Sequence, residues 1–245
     1  MDPDVPATEV DDARPVPRWG LGDVILGLVV GLVLSSVLAG LWLAVSGKDT
    51  LSIGGKAFSQ VGLWIGLVGS VVLATRRKGS GSLGTDFGWG FRWIDLALGA
   101  GVAIGAQVVI IPGVAFLLRP LLGRPNVDAP VEDLINESHG AAIVGLFLVA
   151  AVGAPIVEEL FFRGLLLRSI QKRLGTGWAI AGSSIFFGLA HPNDLGLEAQ
   201  LLVMAALAAL GVALATLAVK TGRLGPSMIA HSVFNAISLI VALNT

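Results

Sequence analysis

Seven apolar stretches, at about 21–46, 57–75, 94–118, 140–161, 177–191, 199–219 and 227–243, decide what this chain can become. Most approach the roughly 20 residues that cross the hydrocarbon of a bilayer as a helix. With 54% hydrophobic and 13% charged residues, and a mean hydropathy of +0.83, the chain is too apolar for an ordinary soluble domain. It reads as an all-α, polytopic membrane helical bundle: one transmembrane domain over residues 19–245. Residues 1–18 hold four prolines among five acidic side chains. That composition cannot bury a core and predicts a disordered tail. It also lacks the basic start and short apolar core of a cleaved signal peptide.

Polar residues narrow the function. A net charge of −1 with no basic stripe gives no sign of a nucleic-acid partner; the partners expected are membrane lipids. The absence of cysteine excludes disulfides, thiol catalysis and thiolate-bound metal. The absence of tyrosine removes the Tyr-Asp motif of one class of intramembrane aspartyl protease. Gly20-Leu21-Gly22-Asp23 matches that class's other motif but reads as a helix start. Lysines and arginines favour one side: Arg76, Arg77, Lys78, Arg92, Arg163, Arg168, Lys172, Arg173, Lys220 and Arg223, against Lys48, Lys56, Arg119 and Arg124. The bias predicts a cytoplasmic N-terminus and a C-terminus outside, and the location expected for this integral multi-pass protein is a bacterial or archaeal cell membrane. Trp19, Trp89, Trp93 and Trp178 fall near the interfaces, as aromatic belts do. Gly27 with Gly31, and Gly101 with Gly105, have the spacing that lets helices approach closely.

The stretch Ala154 to Arg163, A-P-I-V-E-E-L-F-F-R, sets two glutamates in an apolar run. A carboxylate at membrane depth costs several kcal/mol, about 2.5 to 3.5 on insertion scales, and is normally paired, protonated or turned to a polar cavity. Glu159 and Arg163 are spaced i, i+4 and share a face. Glu158 points about 100° away. Pro155 marks a kink or restart. The chain then turns at Gly175-Thr176-Gly177, and Glu159 and His191 each lie 16 residues from Gly175. In an antiparallel hairpin both reach the same depth, about 24 Å from the turn. Pro192-Asn193-Asp194 would then be irregular backbone lining a cavity. His231 and Asn235 share a helical face about one turn after Pro226, a preferred first-turn residue. Two carboxylates, two imidazoles and an amide form a working set for hydrolysis.

With these residues the sequence resembles the CAAX-type prenyl-protease family of intramembrane endopeptidases, also called Abi or CPBP proteins. Glu-Glu-x-x-x-Arg matches Glu158, Glu159 and Arg163; Phe-x-x-x-His matches Phe187 and His191; His-x-x-x-Asn matches His231 and Asn235. Residues 1 to about 135 carry no part of it. The resemblance implies an eight-helix or similar bundle, so about seven to eight transmembrane helices are expected around a polar intramembrane cavity open to the cytoplasm. It implies a peptide or protein substrate, prenylated or membrane-embedded, cleaved by water. Glu158 would activate that water, His191 would hold it, Glu159 would assist and Arg163 would support Glu159. His231 and Asn235 would form the oxyanion hole. The expectation is of no cofactor. The alternative is zinc on Glu158, His191 and His231, a set that matches the three-ligand pattern of catalytic sites. Against it, no His-Glu-x-x-His is present.

Two other classes compete. A carrier would show an inverted repeat, and none is found. A non-catalytic scaffold or bacteriocin-immunity protein would not depend on Glu158. No serine lies in a Gly-x-Ser-x-Gly context, and His139, with Asn136 and Glu137, reads as surface.

Overall fold

The computed structural model describes residues 17–127, 129–192 and 195–244. Eight helices carry the fold: α1 (Leu21–Ser46), α2 (Ile53–Lys78), α3 (Leu83–Phe87), α4 (Ile94–Leu122), α5 (Ala129–Asn136), α6 (Ala141–Leu189), α7 (Leu197–Thr221) and α8 (Gly225–Ala242). Among the described residues there is no strand, and six of the helices are long and apolar enough to cross a membrane. The expected tail lies almost wholly outside the described residues, as do Asn193 and Asp194 of the expected cavity loop.

Seven apolar stretches become six such helices because two of them, 140–161 and 177–191, fall within α6. That 49-residue element doubles back at Gly175 (φ 80°, ψ 175°), a conformation open essentially to glycine alone. The outbound limb, 141–174, runs the depth of the bundle. The return limb, 176–189, rises only about 21 Å, short of the roughly 30 Å hydrocarbon layer. It lies back along its partner: Phe162 meets Phe187 with ring centres 5.2 Å apart. Arg168 donates to the Gly222 carbonyl at 3.3 Å, so the seven residues from Arg168 to Gly175 carry the hairpin tip about 10 Å past the α7–α8 turn.

The two ends of the bundle differ. Arg18, Arg76, Arg77, Lys78, Arg92, Arg168, Lys172, Arg173, Lys220 and Arg223 gather at the end where α1 begins and α6 turns. Lys48, Lys56, Arg119 and Arg124 lie at the other. Arg163, counted with the basic end in the sequence, is instead fully buried. The basic end is knitted together. Asp23 caps α1 through the Gly20 amide at 2.9 Å and pairs with Lys78 at 2.7 Å, which makes the Gly-x-Gly-Asp match a helix start. Asp95 takes the Arg92 amide at 2.8 Å and binds Arg223, tying α4 to the α7–α8 turn. Asp86 accepts from Thr75 and from the Ser80 amide. Trp19 is buried against Phe87 beneath Lys172, whose ammonium lies 3.4 Å from its ring. It therefore leaves the aromatic belt to the exposed Trp89, Trp93 and Trp178.

Small residues set the helix contacts. A methyl group on Gly31 would lie 2.9 Å from the Leu63 carbonyl, so α1 and α2 meet backbone to backbone there, as the Gly27 and Gly31 spacing predicts. Gly101 and Gly105 do not behave so; both face open space. The packed face of α4 is offset from theirs, through Gly99, where a methyl would sit 2.6 Å from Ile229, and the buried Ala103 and Ala106. Replacing Gly175 by alanine should destabilise the hairpin by about 1–3 kcal/mol, the usual cost of a side chain in such a conformation. Unfolding of the purified variant in mixed micelles measures it.

Candidate active site

Pro155 shapes the helix that presents the two glutamates. It has no amide hydrogen, so it cannot donate to a carbonyl in the preceding turn. The outbound limb answers by widening: Leu148–Gly153 is π-helical, and the Ala154 amide reaches back five residues to the Val149 carbonyl. In that register the donor due to Ala150 would be Pro155. The Asn235 side chain supplies it instead, donating from Nδ2 to the Ala150 carbonyl at 2.8 Å. A second π-helical stretch, Leu160–Leu166, follows the glutamates and is entirely buried. Such bulges are frequent at functional sites. The expected kink at Pro155 is thus a bulge within a continuous helix.

Glu159 and Arg163 are both fully buried and joined at 2.9 Å. The same Glu159 oxygen faces His231 Nδ1 at 3.2 Å. Since Glu159 already accepts from Arg163, it is a carboxylate and His231 donates to it. The second arm of Arg163 donates to the Gly211 carbonyl on α7 at 3.3 Å, and its carbon lies 4.3 Å from the centre of the Phe187 ring. One ion pair therefore joins α6, α7 and α8. Phe187 also touches His191 and His231, with ring centres at 4.7 and 5.5 Å.

Glu158 faces the other way, as the 100° step requires. Its Oε2 is buried without a hydrogen-bond partner. His191 Nε2 stands 3.7 Å from it and His231 Nε2 3.9 Å. His191 has its Nδ1 fixed 2.7 Å from the Phe187 carbonyl, where it donates. Both rings are thus held by Nδ1 and turn Nε2 toward one carboxylate oxygen. Exposure is graded across the cluster: the His191 and Glu158 side chains are 33% and 15% accessible, those of His231, Glu159 and Arg163 nearly nil. The group opens on the Glu158–His191 side.

All six residues singled out in the sequence meet in this arrangement: Glu158, Glu159, Arg163, His191 and His231 in mutual contact, and Asn235 on the bulge beneath them. The expectation that Glu159 and His191 share a depth is met by the hairpin about Gly175, which brings the adjacent Glu158 to 3.7 Å from His191. His139 is exposed and takes no part. Two contributors were not legible as site residues. Phe187 enters the sequence only as the first residue of Phe-x-x-x-His, a spacing that puts it one turn from His191 without disclosing its contacts with Arg163 and His231. Gly211 contributes only a backbone carbonyl, which no side-chain motif reveals.

Residues 140–237, less than half of the chain, match a protein-family model described as type II CAAX prenyl endopeptidase Rce1-like. That segment is similar to the Rce1-like family. All three motifs lie inside it, in agreement with the resemblance they carry. No curated protein and no solved structure matches the chain. The Rce1-like segment spans α6 to α8, so family and geometry converge on the same elements. The family indicates a CAAX-type protease, and the six apolar helices make the chain an integral multi-pass membrane protein.

Zinc, the alternative left open by the sequence, would fall to Glu158, His191 and His231. The donor types suit it. Their separations of 3.7 and 3.9 Å are wider than the ~3.4 Å between ligands of a tetrahedral ion with bonds near 2.05 Å. Among the described residues no group of three or more acidic or histidine side chains is placed to hold a metal.

Removing Arg163 takes its permanent counter-charge from the buried Glu159, a loss of about 3–5 kcal/mol. Arg163→Ala should therefore lower folded yield and thermal stability sharply, while His139→Ala should match the parent; size-exclusion profiles and melting curves of the purified proteins compare them.

Proposed function

We propose that this Rce1-like protein is an intramembrane endopeptidase that hydrolyses a peptide bond with a water activated by Glu158. One observation carries the reading: two imidazole Nε2 atoms face the unpartnered Glu158 Oε2 across 3.7 and 3.9 Å. These gaps are too long for hydrogen bonds and suit a single intervening water. Such a water donates one proton to Glu158 Oε2 and one to His191 Nε2, whose own hydrogen is committed to Phe187 at Nδ1. Its lone pairs are left for the substrate carbonyl.

As the water oxygen bonds to the carbonyl carbon, its proton passes to Glu158 and the carbonyl oxygen becomes an oxyanion. His231 then serves as the donor from Nε2. Because Nδ1 also donates, to Glu159, the ring works as an imidazolium. With Glu158 and Glu159 ionised and Arg163 and His231 protonated, the cluster is neutral, the arrangement that buried charges require. The carbon–nitrogen bond then breaks, and the proton held by Glu158 moves to the leaving amine. Low dielectric and fixed donors strengthen each of these interactions. The second N–H of Asn235 is free to join His231 at the oxyanion. Zinc on the same three residues would act by polarising the carbonyl or the water.

The substrate class follows the family: a peptide or protein segment at the membrane, prenylated as the family's description has it. The concentration of arginine and lysine at one end supports a cytoplasmic location for that end, the N-terminus and the substrate entrance.

The test is cleavage of a quenched fluorescent CAAX-type peptide, farnesylated or not, by protein purified in detergent and treated with chelator. Cleavage should persist, and Glu158→Gln should lower turnover by about 10² to 10⁴, the usual contribution of a general base. Full turnover in Glu158→Gln would leave a structural polar cluster, and restoration only by added zinc would move the chemistry to the metal.

A further inference from the structure

We infer that Asn235 is a positioning residue that acts on Glu158 through the backbone, by holding the outbound limb of α6 in its bulged register. This rests on the hydrolytic reading only for its kinetic consequence; the structural part stands without it. The resemblance alone would make Asn235 an oxyanion donor. The geometry assigns one of its two amide hydrogens to other work, at a place where no other group can do it.

The accounting is local and complete. Within an ordinary α-helix the Ala150 carbonyl would receive the Ala154 amide. Here that amide goes to Val149. The next donor in the widened turn is residue 155, a proline with no N–H. Asn235 Nδ2, at 2.8 Å, fills the place from α8. An orphaned carbonyl at this depth has no water to turn to. The alternative register is also incomplete, for in an unbulged helix it is the Ala151 carbonyl that looks to Pro155. Pro155 thus leaves one carbonyl without its amide in either register, Ala150 in the bulged one and Ala151 in the other, and it is Ala150 that Asn235 meets. The choice between registers therefore belongs to Asn235.

The register decides where Glu158 points. Collapse of a bulge removes one residue from the wide turn, which turns the helix on one side of it by roughly 100° and shifts it by about 1.5 Å relative to the other. Glu158 and Glu159 sit four and five residues beyond Ala154, between the two bulges. Their opposed directions, one to the His191–His231 gap and one to Arg163, hold only if that part of the limb keeps its rotation. Asn235 thereby couples the approach of α8, which also carries His231, to the aim of the carboxylate on α6.

Two readouts test this, and the absence of cysteine makes the first direct. Spin labels are placed at Val144→Cys, before the bulge, and at Ile185→Cys on the return limb, both exposed on the outer surface. Introducing Asn235→Leu, which keeps the bulk and removes the donor, should move the mean label separation by several Å with the fold retained. An unchanged separation overturns the proposal, whether or not the protein cleaves peptide. Should the leucine variant not fold, Asn235→Asp gives the same decision: as a neutral acid it can donate to Ala150 and should keep the parent separation, and once ionised it should lose it. Asn235→Ala, which removes the donor without adding a titratable group, closes the test: a separation equal to the parent's in that variant overturns the proposal.

The second readout is the pH profile of kcat/KM, which reports ionisations of the free enzyme. Displacing Glu158 from its two imidazoles should shift the acid limb by about half a unit or more as well as lower the rate. Loss of an oxyanion donor alone would lower the rate by about 10² to 10³ at every pH and leave that limb in place. The latter result, with an unaltered label separation, returns Asn235 to the oxyanion hole. Peptidase inactivity of the parent chain would instead count against the hydrolytic reading, leaving the label separation to decide the register.

Discussion

The site hangs on a salt bridge that no solvent reaches. Glu159 and Arg163 are fully buried, and the cost of removing two charges from water makes such a pair a poor source of net stability. Its value here is connectivity. Glu159 reaches His231 on α8, Arg163 reaches the Gly211 carbonyl on α7, and the guanidinium lies against Phe187 on the return limb. The first two contacts also satisfy polar groups, His231 Nδ1 and the Gly211 carbonyl, that would otherwise face a lipid-like interior. The position of His231, and with it the gap opposite Glu158, follows from that one pair.

A related economy runs through the backbone. Irregular helix is tolerated at membrane depth only where protein covers it and satisfies its groups. The two π-helical stretches flank the glutamates. A motif side chain closes the Ala150 carbonyl, and another takes the Gly211 carbonyl on the neighbouring helix. The residues that mark the family in sequence are therefore occupied with holding the fold open in a particular shape as well as with presenting acid and base groups.

Much of this was legible beforehand because the signals are periodic. The apolar stretches marked α1, α2, α4, α7 and α8 to within four residues, the i, i+4 spacing gave the Glu159–Arg163 pair, and equal distances from Gly175 brought Glu159, and its neighbour Glu158, level with His191. What escaped the sequence depends on which way a helix is rotated. Gly101 and Gly105 have the same spacing as Gly27 and Gly31, yet only the latter face a neighbour. Arg163 was counted with the surface cations because charge does not disclose burial, and Trp19 with the interfacial belt for the same reason. The bulge at Pro155 and its closure by a side chain 85 residues away joined two local patterns that sequence distance kept apart. Function follows the same division: residue types and spacing pointed to hydrolysis, whereas the hydrogen bonds from His231 to Glu159 and from Asn235 to the Ala150 carbonyl came only with the fold.

The short return limb bears on how this protein enters a membrane. At about 14 residues it is too brief to be captured as a span in its own right during synthesis. It can come to rest only by following the outbound limb, bending at Gly175 while the basic tip stays behind in water, and then lying against α7, where Gly188 and Gly211 admit close approach. The cluster draws on both α6 and α8, so a chain not yet made through α8 carries the two glutamates without His231 and Asn235 opposite them.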